Sequence, residues 1–168
     1  FEPYLGISLG GWSPYGNLNL LGKHPEFGWY LGTVSKNIFI NGYLGFRSMG
    51  SEKMYTTEYK GKLYESYHFF GGKFAGNLGF FLYNTLNRKY FIYGDFAIEG
   101  FDAFDEDKDA PDRKVKSIHG LSNGVGIGIR QYIGNIMYFG VRISHSWNRY
   151  DNKGGTNLDG NSINLMFD

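Results

Sequence analysis

Residues 70–82 read Phe70-Gly71-Gly72-Lys73-Phe74-Ala75-Gly76-Asn77-Leu78-Gly79-Phe80-Phe81-Leu82. Taken two apart from Phe70, the positions give Phe70, Gly72, Phe74, Gly76, Leu78, Phe80 and Leu82, while the intervening ones are mostly small or polar. Successive side chains of a strand point to opposite faces, so this spacing predicts one long strand with a bulky apolar face and a small one. The same alternation recurs to either side. It runs through Leu5, Ile7 and Leu9, then Phe27, Trp29 and Leu31, then Ile38, Ile40, Gly42, Leu44 and Phe46. Beyond the long run it resumes at Ile92, Gly94, Phe96 and Ile98, then Leu121, Val125, Ile127, Ile129 and Ile133. Met137, Phe139, Val141, Ile143 and Trp147 follow, and Ile163, Leu165 and Phe167 close the chain. These segments predict eight strands, and no segment has the period of an amphipathic helix.

Connections alternate in length. Ser35-Lys36-Asn37, Asn84 to Arg88 and Gly134-Asn135 are short; Ser13 to Glu26, Gly50 to Tyr64, Asp102 to Ser117 and Asn148 to Gly160 read as long polar loops. An even number of strands with alternating connections predicts an antiparallel up-and-down meander, and closing it into a barrel removes both sheet edges. The expected fold class is therefore an all-β, eight-stranded antiparallel up-and-down transmembrane β-barrel, one domain over residues 1–168.

Composition narrows the classes. The 168 residues carry 19% aromatics, 26 Gly, 4 Pro and a net charge of +1, which fits neither a disordered chain nor a nucleic-acid binder. With no Cys there is neither a disulfide framework nor a thiolate nucleophile or metal ligand. No stretch approaches the ~18 consecutive apolar residues of a spanning helix, so a membrane crossing would be made by strands. The segment from Phe1 to Trp12 has neither a basic start nor an unbroken apolar run, and the chain reads as a mature or trimmed product.

Parity decides which face is outside. The apolar parity carries roughly thirty large side chains, whereas a packed eight-stranded interior holds about twelve. The opposite parity is rich in Gly, Ser and Ala, which suits a crowded concave lumen. All the charges within strand bodies, Arg47, Lys73, Asp95, Glu99, Arg130 and Arg142, fall on that small-residue parity. They predict a luminal network in which Asp95 and Glu99 meet Arg142, Arg130 and Lys73, with Tyr43, Tyr83, Tyr93, Tyr132 and Tyr138 assisting. Trp12, Trp29 and Trp147 lie near strand ends and are expected in an interfacial girdle. A soluble lipocalin-like carrier, apolar inside, is the alternative reading of the same alternation.

The meander, the loop lengths and the closing segment Asn161-Ser162-Ile163-Asn164-Leu165-Met166-Phe167-Asp168 resemble small bacterial outer-membrane barrels of the OmpA/OmpX type. That resemblance implies an outer-membrane location in a Gram-negative bacterium, with long loops outward and termini periplasmic. It implies outer-membrane lipids, lipopolysaccharide and other outer-membrane or periplasmic proteins as partners. Such barrels end on a terminal aromatic; here Asp168 follows Phe167, which is compatible with a trimmed C-terminal domain. A second likeness, over about thirty residues, joins Gly140-Val141-Arg142-Ile143-Ser144-His145-Ser146-Trp147-Asn148 to Asp159-Gly160-Asn161. This is similar to the C-terminal end of lipid A 3-O-deacylases, with His145 and Asn148 matching. The family's serine position holds Trp147 and its glutamate position Asn161. His145 is thus the one catalytic candidate, and Ser144 and Ser146, on the opposite face, are not placed to be its nucleophile.

Other motifs give little chemistry. Asp105-x-Asp107-x-Asp109 begins like a calcium loop, but Ala110 stands where Gly is required and Lys116 where the bidentate Glu belongs. The run reads as a solvated outer loop or a weak divalent bridge to lipopolysaccharide. Gly124-x-Gly126-x-Gly128 lacks the dinucleotide spacing and precedes no helix. His24, His68 and His119 lack metal-ligand spacing, so neither metal nor cofactor is expected. The leading expectation is a non-enzymatic structural, interaction or accessory barrel with a filled lumen, one version of which is a subunit of a larger outer-membrane complex; the alternative is a deacylase-like esterase built on His145.

Overall fold

A computed structural model describes residues 2–85, 87–105, 113–134 and 137–168. Eight strands make up nearly all of it: β1 (Glu2–Gly16), β2 (His24–Ser35), β3 (Ile38–Tyr59), β4 (Lys62–Asn84), β5 (Arg88–Asp105), β6 (Arg113–Ile133), β7 (Met137–Tyr150) and β8 (Gly160–Phe167). Each pairs antiparallel with the next, and β1 pairs with β8 from Leu9↔Phe167 to Gly16↔Gly160, so the sheet closes into a ring. Closure leaves no long sheet edge within the ring. A short 3₁₀ turn, Asn17–Leu21, is the helical element among the described residues.

Much of two expected long loops is strand instead, the second over its described residues. β3 and β4 continue pairing to Tyr59↔Lys62 around the turn Lys60-Gly61, whose residues have φ of 52° and 75°. Positive φ at both central positions is what a two-residue hairpin turn of matching twist requires. β5 and β6 likewise pair out to Asp105↔Arg113. Their neighbours stop sooner: β2 leaves β3 at Glu26↔Arg47, and β7 leaves β6 at Gly120↔Tyr150. Four strands therefore project past the ring at the long-loop end. These polar segments are strand because each finds a cross-strand partner, which composition does not reveal.

The other two connections fold over this end as a cap. Leu18, Leu21 and Leu158 are fully buried there with Trp12, Tyr55, Phe69, Phe101, Ile118 and Tyr150. The cap also covers the bare edge of β3: Thr156 N–H donates to the Thr56 carbonyl at 2.9 Å, and Thr56 N–H to Thr156 Oγ1 at 2.9 Å. Outside the ring stands a wall of exposed Leu5, Ile7, Leu31, Ile40, Phe74, Leu78, Phe96, Ile127, Ile143 and their like.

Candidate functional site

Alternation aims Glu26, Arg47, Lys73, Asp95 and Glu99, on β2 to β5, into the lumen, and register brings them together. Glu26 is the register partner of Arg47, and Lys73 of Glu99. Arg47 Nε donates to Glu26 Oε2 at 2.6 Å and Nη1 to Glu99 Oε2 at 2.8 Å. Glu99 also accepts from the Tyr150 hydroxyl at 2.6 Å and from Ser122 at 2.8 Å; Tyr43 donates to Glu26 at 2.8 Å. Lys73 Nζ lies 3.6 Å from Asp95 and 3.7 Å from Glu99. All of these groups are buried, so each charge depends on its partners to offset the loss of water. Beside them the lumen leaves voids of about 10 and 20 Å³, the size of single waters.

The structure departs from the expected pairing in three ways. Arg142 binds Asp168, with Nε 3.1 Å from Oδ1, rather than Asp95 or Glu99. Arg130 meets no carboxylate among the described residues and lies between aromatic rings. Tyr83 is exposed on the outer wall, because a register irregularity between Phe81 and Tyr83 reverses the parity at the end of β4. Glu26 was expected in a loop and is the acid that completes the Arg47 site; its signal was its place two residues from Gly28 on the small-residue parity.

The three tryptophans separate. Trp29 and Trp147 stand on the outer wall, 47% and 46% exposed, but Trp12 is fully buried inside, correcting its expected place in a girdle. It stacks on Phe69 with ring centres 5.6 Å apart and lies 4.5 Å beneath the Arg47 guanidinium. Its parity was set by Ser8 and Gly10, which already pointed inward.

His145 faces outward on β7, hydrogen-bonded through Nε2 to the Tyr15 hydroxyl and edge-on to Trp147 at 4.6 Å. Ser144 and Ser146 are buried on the inner face. Asn161 lies opposite Trp147, and Ile163 opposite His145. A phenol thus occupies the place at His145 where a hydrolytic triad would need a carboxylate.

Among the described residues no three His, Asp or Glu side chains cluster in a way that could hold a metal. Most of the acidic run, from Glu106 to Asp112, lies outside the described residues; Asp102 is paired with Lys114 at 2.8 Å. Searches against family models, curated proteins and solved structures find no match to this chain.

Proposed function

We propose that this chain is an integral β-barrel of the bacterial outer membrane, its lumen filled, with a non-enzymatic structural or accessory role. One observation carries the reading: large apolar side chains ring the outer wall, while the charged side chains of the strand bodies, Arg47, Lys73, Asp95, Glu99, Arg130 and Arg142, turn inward. Water-soluble surfaces rarely expose so continuous an apolar area. In hydrocarbon the same wall is favourable, and a cation on it near the midplane would cost about 2–4 kcal/mol. A soluble carrier needs the opposite arrangement, with its apolar face around a ligand cavity.

Ion pairs, tyrosines and the cap fill the lumen, which supports a scaffold rather than a conduit. The projecting β3–β6 sheet would then offer the surface for lipopolysaccharide or a second outer-membrane protein, and the termini would lie on the periplasmic side. The test is to refold the chain in detergent, reconstitute it into vesicles and planar bilayers, and incubate it with lipid A. Expected are a heat-dependent gel shift, protease resistance of the barrel, no unitary conductance steps, and lipid A of unchanged mass. A chain that stays monomeric and folded in buffer without detergent overturns the membrane reading; loss of an acyl chain, abolished by His145→Ala, overturns the non-enzymatic one.

A further inference from the structure

Three arginines point into the barrel, and two of them end on carboxylates: Arg47 on Glu26 and Glu99, Arg142 on Asp168. Arg130 is as deeply buried, 3% exposed, and has none within ion-pair reach among the described residues. Its Cζ lies 4.7 to 5.5 Å from the ring centres of Tyr4, Phe39, Phe81, Phe91 and Tyr138. Ring faces attract the cation, but they offer no lone pairs to its N–H groups. Nη2 reaches the Tyr4 hydroxyl at 3.3 Å, whereas Nε and Nη1 have no acceptor among the described residues. A buried guanidinium so provided is costly unless an acceptor comes from elsewhere.

The access exists. A cleft of about 720 Å³ at the short-turn end is lined by Arg130, Tyr4, Tyr30, Tyr132, Tyr138 and Asp168. Two acids lie on that lining: Asp168 is engaged by Arg142, and Glu2 is exposed at the start of β1, so neither pairs with Arg130 among the described residues. A second cation stands close by: Lys89 Nζ lies 4.8 Å from the Tyr132 ring and 5.1 Å from Phe81, a ring that Arg130 also faces. Planar N–H donors, phenol hydroxyls and an adjoining ammonium within a low-dielectric aromatic wall match an oxyanion.

We propose that Arg130, with Tyr4 and the field of Lys89, forms a phosphate-binding site at the short-turn mouth of the barrel. The site binds the phosphate oxygens, whether they belong to a free anion or to the headgroup of a lipid on that side. It goes beyond the scaffold role and depends only on the lumen geometry, so it can be tested in detergent.

The experiment follows the arginine Nε–H resonances of the protein folded in nonionic detergent, with Arg130 assigned by its loss in Arg130→Met. Sodium phosphate is added at ionic strength held constant with sodium chloride. The expected result is a saturable shift of the Arg130 resonance with Arg142 unmoved, and an apparent Kd at least threefold weaker in Lys89→Ala. In a parallel arm dihexanoyl phosphatidic acid replaces phosphate: tighter binding assigns the lipid headgroup as the source, and equal or weaker binding assigns the free anion. No shift, or a non-saturating one shared with Arg88, from protein that still shows the heat-dependent gel shift, overturns the proposal and leaves the barrel reading intact. The wild-type titration decides this even if a variant fails to fold.

Discussion

Arg47 Nη1 lies 2.8 Å from Glu99 Oε2, joining β3 to β5 across the face of β4, while its Nε holds Glu26 of β2 at 2.6 Å. One guanidinium therefore ties three strands that are not all neighbours in the sheet. Hydrogen bonds of the ladder act only between adjacent strands, so this contact stabilises the cross-section of the ring rather than any one hairpin.

Arg47→Met would leave two carboxylates buried with Lys73, two phenols and the Ser122 hydroxyl to offset them. The expected loss is about 3–5 kcal/mol, the cost of breaking a buried pair from one side. Lys114→Ala, at the half-exposed pair with Asp102, should cost less than about 1 kcal/mol. Urea unfolding of the detergent-folded variants, followed by tryptophan fluorescence, checks the contrast. Equal, small shifts in both would show that water or rearrangement replaces Arg47.

Glycines on the two faces of β4 should respond oppositely. A Cβ added at Gly79 runs into the Phe39 ring and the Ile92 carbonyl, but one added at Gly76 meets nothing within 4 Å. Phe39 is itself wedged against Phe81 and Phe91, so it has little room to yield. Gly79→Ala is expected to cost about 1–3 kcal/mol as overpacking, and Gly76→Ala to be neutral or slightly stabilising. The unfolding midpoints of the two variants are the measurement.

Low pH should loosen the cap. His24 is the first residue of β2, on the long-loop side of the apolar band that begins at Phe27, and its Nε2 lies 2.7 Å from the Leu21 carbonyl. Burial pushes its imidazole below the ordinary histidine value; the Leu21 carbonyl opposes this and the Arg47 charge adds to it. A proton therefore binds the unfolded state more readily than the folded one. His24 leaves stability unchanged above about pH 6.5 and reduces it as pH falls below that value. Hydrogen exchange of residues 17–22 at pH 7.5 and 5.5 should show faster opening at the lower pH, and His24→Gln should flatten the difference.

Much of the ring could be read from residues such as Phe70, Phe74 and Leu78, because period-two spacing is a local property that survives without neighbours. The inward placement of Arg47, Lys73, Asp95 and Glu99 followed from parity alone. What parity cannot give is which inward residues meet, since that depends on register and strand tilt: Arg142 finds Asp168 and Arg130 finds rings. The projecting hairpins were hidden for a different reason. From Ser48 to Glu65 the chain is mostly polar with no sustained period-two run of apolar residues, and only the partner strand distinguishes such a segment from a loop.

The tryptophans offer a direct measure of which face meets lipid. Single-tryptophan variants, with the other two replaced by Phe, can be folded into vesicles of brominated phosphatidylcholine, whose bromines quench indole at short range. Trp29 and Trp147 are outward and about half exposed, so both should be strongly quenched. Trp12 sits on the opposite side of the wall beneath the 3₁₀ turn, stacked between Phe69 and the Arg47 guanidinium, and should keep most of its emission. Moving the bromines from near the headgroup toward the chain end tests depth as well: aromatic side chains at the interface respond most to the shallow position. Uniform quenching of all three would mean that the lumen is open to lipid, and no quenching of Trp29 or Trp147 would mean that the apolar wall faces something other than a bilayer.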